Sequence, residues 1–143
     1  MFRQFCLLGL MLLSLNAIAG PEPTRFGDLV VYHNVFNSSM LQPDIAASAG
    51  LMRGPTHGVL NVAVQRPDGS AVDAVLKGEV RSLIGQPVAL DFKRIQEGDA
   101  IYFVANYSAT QRGVLLFKVD IQAEEGAMVH SLSFQQEFFP DDQ

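Results

Sequence analysis

The sequence predicts an all-β domain, an antiparallel β-sandwich of about seven strands with one short helix near residues 43–49. Three observations predict it. Apolar and polar residues alternate in short runs from residue 28 to residue 138, the period of a half-buried strand. Gly, Pro, Asn and Asp interrupt those runs at near-regular spacing. Only the stretch from Pro43 to Gly50 carries both a start and a stop signal for a helix. A small barrel is the alternative closure of the same pattern.

The chain opens MFRQFCLLGLMLLSLNAIAG. Arg3 supplies a positive start, Phe5 to Leu15 an apolar run, and Ala17-Ile18-Ala19 the small residues of a cleavage site. This is the layout of a signal peptide over residues 1–19, and the run is too short to span a bilayer. The single domain is then expected over 20–143, beginning at Gly20, and its location is expected to be the periplasm. Cleavage would remove Cys6, the chain's one cysteine. The exported domain would have no disulfide, no thiol nucleophile and no thiolate ligand. Loss of Arg3 would leave nine basic against fifteen acidic side chains. A mildly acidic chain without a basic cluster argues against nucleic acid and anionic membrane surfaces as partners. No later apolar stretch is long enough to cross a bilayer.

Asp28 to Phe36 alternates faces, with Leu29, Val31, His33 and Val35 opposite Val30, Tyr32, Asn34 and Phe36. Pro43 suits a first helical position and Asp44 complements the positive helix start. Gly50 suits a left-handed cap, with Leu51 folding back. Gly58 to Arg66 puts Leu60, Val62 and Val64 on one face. Pro67-Asp68-Gly69-Ser70 is a turn. Ala71 to Ile84 is long for one strand, and Gly78 at its middle predicts a bulge or bend. Val88, Leu90 and Phe92 mark a strand after Gly85-Gln86-Pro87. Ile101 to Tyr107 and Leu115 to Ile121 follow, separated from it by Glu97-Gly98-Asp99. Met128, His130, Leu132, Phe134, Gln136 and Phe138 line one face of the last strand.

The motifs YHNVFNS, LQPDIA, GLMR with Arg53, EGDAIYF and FQQEFF span nearly all of the chain beyond residue 20. On them the chain resembles an uncharacterised family of small exported proteins of Gram-negative bacteria, catalogued as a domain of unknown function. The resemblance implies a periplasmic immunoglobulin-like sandwich. It assigns no activity and no functional residue.

The densest polar cluster is His33, Asn34, Asn37, Ser38 and Ser39, with Arg53 following the helix. These are the binding candidates. Their structural alternative is capping, since Asn and Ser side chains bond free amides at helix starts. The Arg53 guanidinium suits a carboxylate or phosphate held by two bonds, or an acid of its own domain. The metal candidates are Met128, His130, His57 and Met52, with Met40 nearby. Thioether and imidazole suit cuprous copper, and core packing is the competing reading for Met128 and His130.

No Gly-x-Ser-x-Gly turn, His-Glu-x-x-His or Gly-rich loop opening a helix is present. An enzyme is the least favoured class, with no catalytic residue assigned and no cofactor expected. Tyr32, Tyr102 and Tyr107 read as sheet packing rather than as a sugar-stacking platform. The sequence therefore predicts a non-catalytic binding or interaction module, taking a small periplasmic ligand or an envelope protein. A copper carrier is the alternative and a small hydrolase the remote one. Phe138 and Phe139 beside the acidic tail imply a protein partner if both are exposed.

Overall fold

The computed structural model describes residues 21–140, so the signal-peptide reading, with Arg3, Cys6 and the start at Gly20, falls outside the described residues. Among the described residues the nine strands are β1 (Thr24–Phe26), β2 (Leu29–Asn37), β3 (His57–Gln65), β4 (Val75–Ser82), β5 (Val88–Leu90), β6 (Lys93–Glu97), β7 (Ala100–Ser108), β8 (Gly113–Gln122) and β9 (Val129–Phe138). They form two antiparallel sheets, one in the order β1-β2-β3-β7-β6 and the other β5-β4-β8-β9. The sheets remain separate, so the domain is a sandwich and not the alternative barrel. Among the described residues no helix is long and apolar enough to cross a membrane.

The inward residues are those the alternation marks. Leu29, Val31, Leu60, Val62 and Val64 of the first sheet meet Phe117, Val119, Ile121, Leu132 and Phe138 of the second in one buried core. Tyr107 stands edge-on to Phe117 and Phe138, and burial pushes its phenol up to about 12. Gly58 is required opposite it, because a Cβ there would run into the Tyr107 ring.

The helix α1 (Pro43–Ala49) occupies the expected segment. Gly50 closes it at φ 72°, a left-handed conformation that costs glycine little, and its N–H reaches the Ala46 and Ala47 carbonyls. A 3-10 turn over Ser38–Met40, which the sequence does not predict, precedes it. The helix lies on the outer face of the five-stranded sheet. Ala46 and Leu51 bury Val59 and Val104 there, with Phe36, Ile95 and Tyr102 at the margin.

Three sequence expectations change. Ala71–Ile84 contributes only β4, since Ala71 makes a lone bridge to Gln65 before the chain reaches the other sheet. Gly78 is no bulge; it pairs in register with Leu90 and Val119. Its role is close packing, because a Cβ would press on the Phe92 ring, Leu90 and the Lys118 carbonyl. The segment after Pro87 crosses sheets, β5 lying in the second and β6 in the first. β1 and β6 are additions to the predicted set. One has three residues and the other, KRIQE, has a single apolar side chain, so neither produces an alternation signal.

Candidate functional site

The polar cluster at the end of β2 is divided among three environments. His33 points inward and stacks on Phe134, ring centres 4.1 Å apart, and Phe134 stacks in turn on Phe117 at 4.9 Å. Burial holds the His33 imidazole below its ordinary value of 6.5. Asn34 points the other way, onto the outer face. Asn37, Ser38 and Ser39 lie beyond both, at the end of the sandwich.

There the polar atoms bind backbone. Ser38 is fully buried, accepts the Gly54 N–H at 3.0 Å and donates to the Gly54 carbonyl at 3.1 Å. Asn37 donates to the Phe139 carbonyl at 2.9 Å. Arg53 donates to the Ser39 carbonyl at 3.1 Å. The capping expectation is corrected in detail: neither Asn37, before the 3-10 turn, nor Gln42, before α1, makes a side-chain cap bond. Ser38 and Arg53 instead tie the loop after α1 to the end of β2, and Asn37 ties that end to the chain just beyond β9. Phe138 is buried and Phe139 is 49% exposed with Arg112 over its ring, so the condition for a protein-binding aromatic pair is not met.

The metal candidates fall at opposite ends of the sandwich, His57, Met40 and Met52 at one and Met128 and His130 at the other. His57 opens β3, where it pairs with Ser108 at the end of β7. His130 lies at the opposite end of the sandwich, eight residues before Phe138 on β9, or about 26 Å along a strand. It stacks on Phe26 at 5.1 Å. Met128 precedes β9 and is 75% exposed, so the core-packing expectation fails for it, while His130 is partly buried. Met40 and Met52 are exposed at the His57 end. Among the described residues no group of three His, Cys, Asp or Glu side chains is placed to hold a metal.

The arrangement with unmet polar chemistry lies elsewhere, on the half of the outer face that α1 leaves bare. Strand register puts Asn34 opposite Asn61 and Tyr32 opposite Ala63. Asn61 is also opposite Val104, which carries Tyr102 to the neighbourhood of Ala63 on its other side. Two tyrosines thus flank one alanine, about 10 Å apart across three strands. The small side chain between them leaves a depression of about 450 Å³, lined also by Asn34, Asn61 and Gln65. A smaller one of about 210 Å³ continues past Tyr102 toward Asp99, sharing Ala63 and Gln65. The Asn61 Oδ1 atom is buried with no hydrogen-bond partner. Such an acceptor is worth ~1–3 kcal/mol when satisfied.

Sequence reasoning placed Asn34 among its candidates and missed Asn61, Gln65 and the tyrosine pair. A second cavity of about 430 Å³ opens at the His57 end between the β4–β5 and β7–β8 hairpins, with Ile84 fully exposed on its rim. Its Arg112 is already engaged by Glu137 and Phe139. The Nδ1 atoms of His33 and His57 are both buried without a hydrogen-bond partner.

Residues 23–141 match the model of the domain of unknown function DUF4426. A crystal structure of a DUF4426 family protein from Pseudomonas aeruginosa PAO1 is 41% identical, with a TM-score of 0.77, covering 86% of this chain and 98% of that one. FetP of uropathogenic Escherichia coli strain F11 is 13% identical, with a TM-score of 0.62, covering 87% of this chain and 96% of that one. A copper-bound glutamate-to-glutamine variant of FetP is 11% identical, with a TM-score of 0.60, covering 85% and 96%. The FetP likeness is one of fold. Among curated proteins none matches. The chain belongs to the DUF4426 family.

Proposed function

We propose that this DUF4426 member is a non-catalytic periplasmic binding module whose ligand lies on the bare half of the outer face of the five-stranded sheet. The observation that carries the reading is the Asn61 Oδ1, buried and unpartnered, at the margin of a depression between Tyr32 and Tyr102. Buried polar atoms normally find a partner, and an exception calls for a ligand or a water. The depression is within the size range of small-ligand sites. The periplasmic location rests on the Arg3, Phe5–Leu15 and Ala17–Ala19 pattern of the first residues. The non-catalytic reading rests on the sequence, which carries no Gly-x-Ser-x-Gly turn and no His-Glu-x-x-His.

Copper is the second reading, favoured by the fold shared with copper-bound FetP. In this chain it would use Met40, Met52 and His57. Met40 and Met52 flank the Ser39–Arg53 bond, and a Cβ on Gly54 would lie 3.2 Å from the His57 Nδ1. Two thioethers and an imidazole suit a cuprous ion.

Thermal unfolding of the exported protein separates the two, scanned with cuprous copper and with a panel of neutral and charged metabolites. A ligand at a hundred times its Kd adds about 2.7 kcal/mol and moves the midpoint by several degrees. A metabolite shift that Asn61→Leu abolishes is the expected result. A copper shift abolished by His57→Ala would replace it with the carrier reading. A protein found in the cytoplasmic fraction would overturn the location.

A further inference from the structure

We infer that the ligand of this surface is a neutral oligosaccharide, held along a two-part groove with Tyr32 and Asn61 at one part and Asp99 at the other; the inference rests on the binding reading above and names its ligand class.

The lining chemistry selects the class. Around the larger depression the outward side chains are tyrosine, asparagine, glutamine, alanine and proline, with no charged group; the one titratable ring besides the tyrosines, His33, stacks inward on Phe134. An anion or cation would meet no counter-charge there. Amides both donate and accept, as sugar hydroxyls do. Tyr32, 40% exposed, and the half-buried Tyr102 present amphipathic rings on either side of Ala63, suited to the C–H face of a sugar ring that carries hydroxyls at its edge. An extended peptide would instead seek free backbone N–H and C=O groups. Here those of β3 are engaged by β2 and β7 on both sides.

The groove's continuity sets the length. Gln65, Ala63 and Tyr102 line both depressions, which makes Tyr102 the ridge between adjacent subsites. Asp99 lines only the second, where a carboxylate accepts from two hydroxyls. One sugar unit fills the first part and its neighbour reaches the second.

The chain has three tyrosines and no tryptophan, and Tyr107 is buried in the core. Tyrosine emission therefore reports on the groove. The exported protein is titrated with maltotetraose, cellotetraose and chitotetraose and with glucose and N-acetylglucosamine. The expected result is that one tetrasaccharide binds at least tenfold more tightly than its monosaccharide. Tyr32→Ala and Asn61→Leu should each weaken both sugars at least tenfold. Asp99→Asn should weaken the tetrasaccharide alone. Circular dichroism melting of each variant establishes that it is folded, and Gln65→Ala is a second, independent lesion of the shared part. Equal affinity for tetrasaccharide and monosaccharide overturns the two-part groove. Absence of binding by all five sugars overturns the inference, and a metabolite shift that still requires Asn61 leaves the binding module standing without it. Sugar binding indifferent to Tyr32 and Asn61 overturns both.

Discussion

Asn61 and Asn106 stand on the same face of the same sheet, on neighbouring strands, and have opposite fates. Asn106 lies where α1 and its following loop cover the sheet. Its Oδ1 accepts the Met52 N–H at 2.6 Å, and its Nδ2 donates to the Met52 and Gly58 carbonyls at 3.1 Å each. Asn61 lies on the bare half, and its Oδ1 has no partner. One asparagine is a structural clamp that docks a loop; the other holds polar capacity the fold does not use. The difference teaches that a polar residue on a sheet face is informative only once the covering element is known. The strand-end cluster follows the Asn106 pattern, with Ser38, Asn37 and Arg53 all bonded to loop backbone.

The largest test of this contrast is Asn106→Ala. It strands the Met52 N–H and two carbonyls, and should cost about 3 kcal/mol of unfolding free energy. Chemical denaturation read by circular dichroism checks it, and a loss below that of an ordinary surface substitution would break the comparison. Ser38→Ala comes next, at about 2 kcal/mol, because a buried hydroxyl with two bonds to Gly54 is removed. Asn61→Leu has the opposite sign. Replacing an unpaired buried acceptor by an apolar group of similar size should leave stability unchanged or raise it by up to ~1 kcal/mol. Destabilisation by Asn61→Leu comparable to that of Asn106→Ala would mean that Asn61 is structural too.

Much of the sandwich was legible because burial imposes a period of two that survives in the sequence. β2, β3, β7, β8 and β9 follow their alternating residues, and Pro43 and Gly50 bracket α1. β1 and the polar β6 were not legible, since an edge strand with little buried surface carries no such period. The site was less legible than the fold. The alternation that put Leu60, Val62 and Val64 inside also put Asn61, Ala63 and Gln65 outside. Nothing in it said that Tyr32 and Tyr102 would flank Ala63. That fact needs the register of three strands, two of which are far apart in sequence. Tyr32 and Tyr102 read as packing residues on the same grounds as Tyr107; Tyr107 is in the core and Tyr102 packs at the margin of the cluster under α1, while Tyr32 is exposed. The metal candidates divide for the converse reason: Met128 and His130 are near His57 in residue chemistry and a full strand length away in space.

His33 and Asn34, adjacent in β2 and facing opposite ways, give the smallest and most selective test. The His33 ring lies between the sheets against Phe134, where desolvation favours its neutral form. In the unfolded chain the imidazole takes up a proton near 6.5; in the folded domain it does so only at lower pH. Between those two values the unfolded state holds more protons, so stability falls as pH drops below 6.5 and levels off once the folded imidazole is also charged. Urea midpoints measured from pH 7.5 down to pH 5 should decline in the native protein and decline less in His33→Leu. Asn34→Ala should leave that pH profile unchanged while weakening the ligand shift, because its side chain is on the face that binds and not on the face that packs. A flat native profile, or one that Asn34→Ala alters as much as His33→Leu does, would show that the two faces of β2 are not the separate environments described.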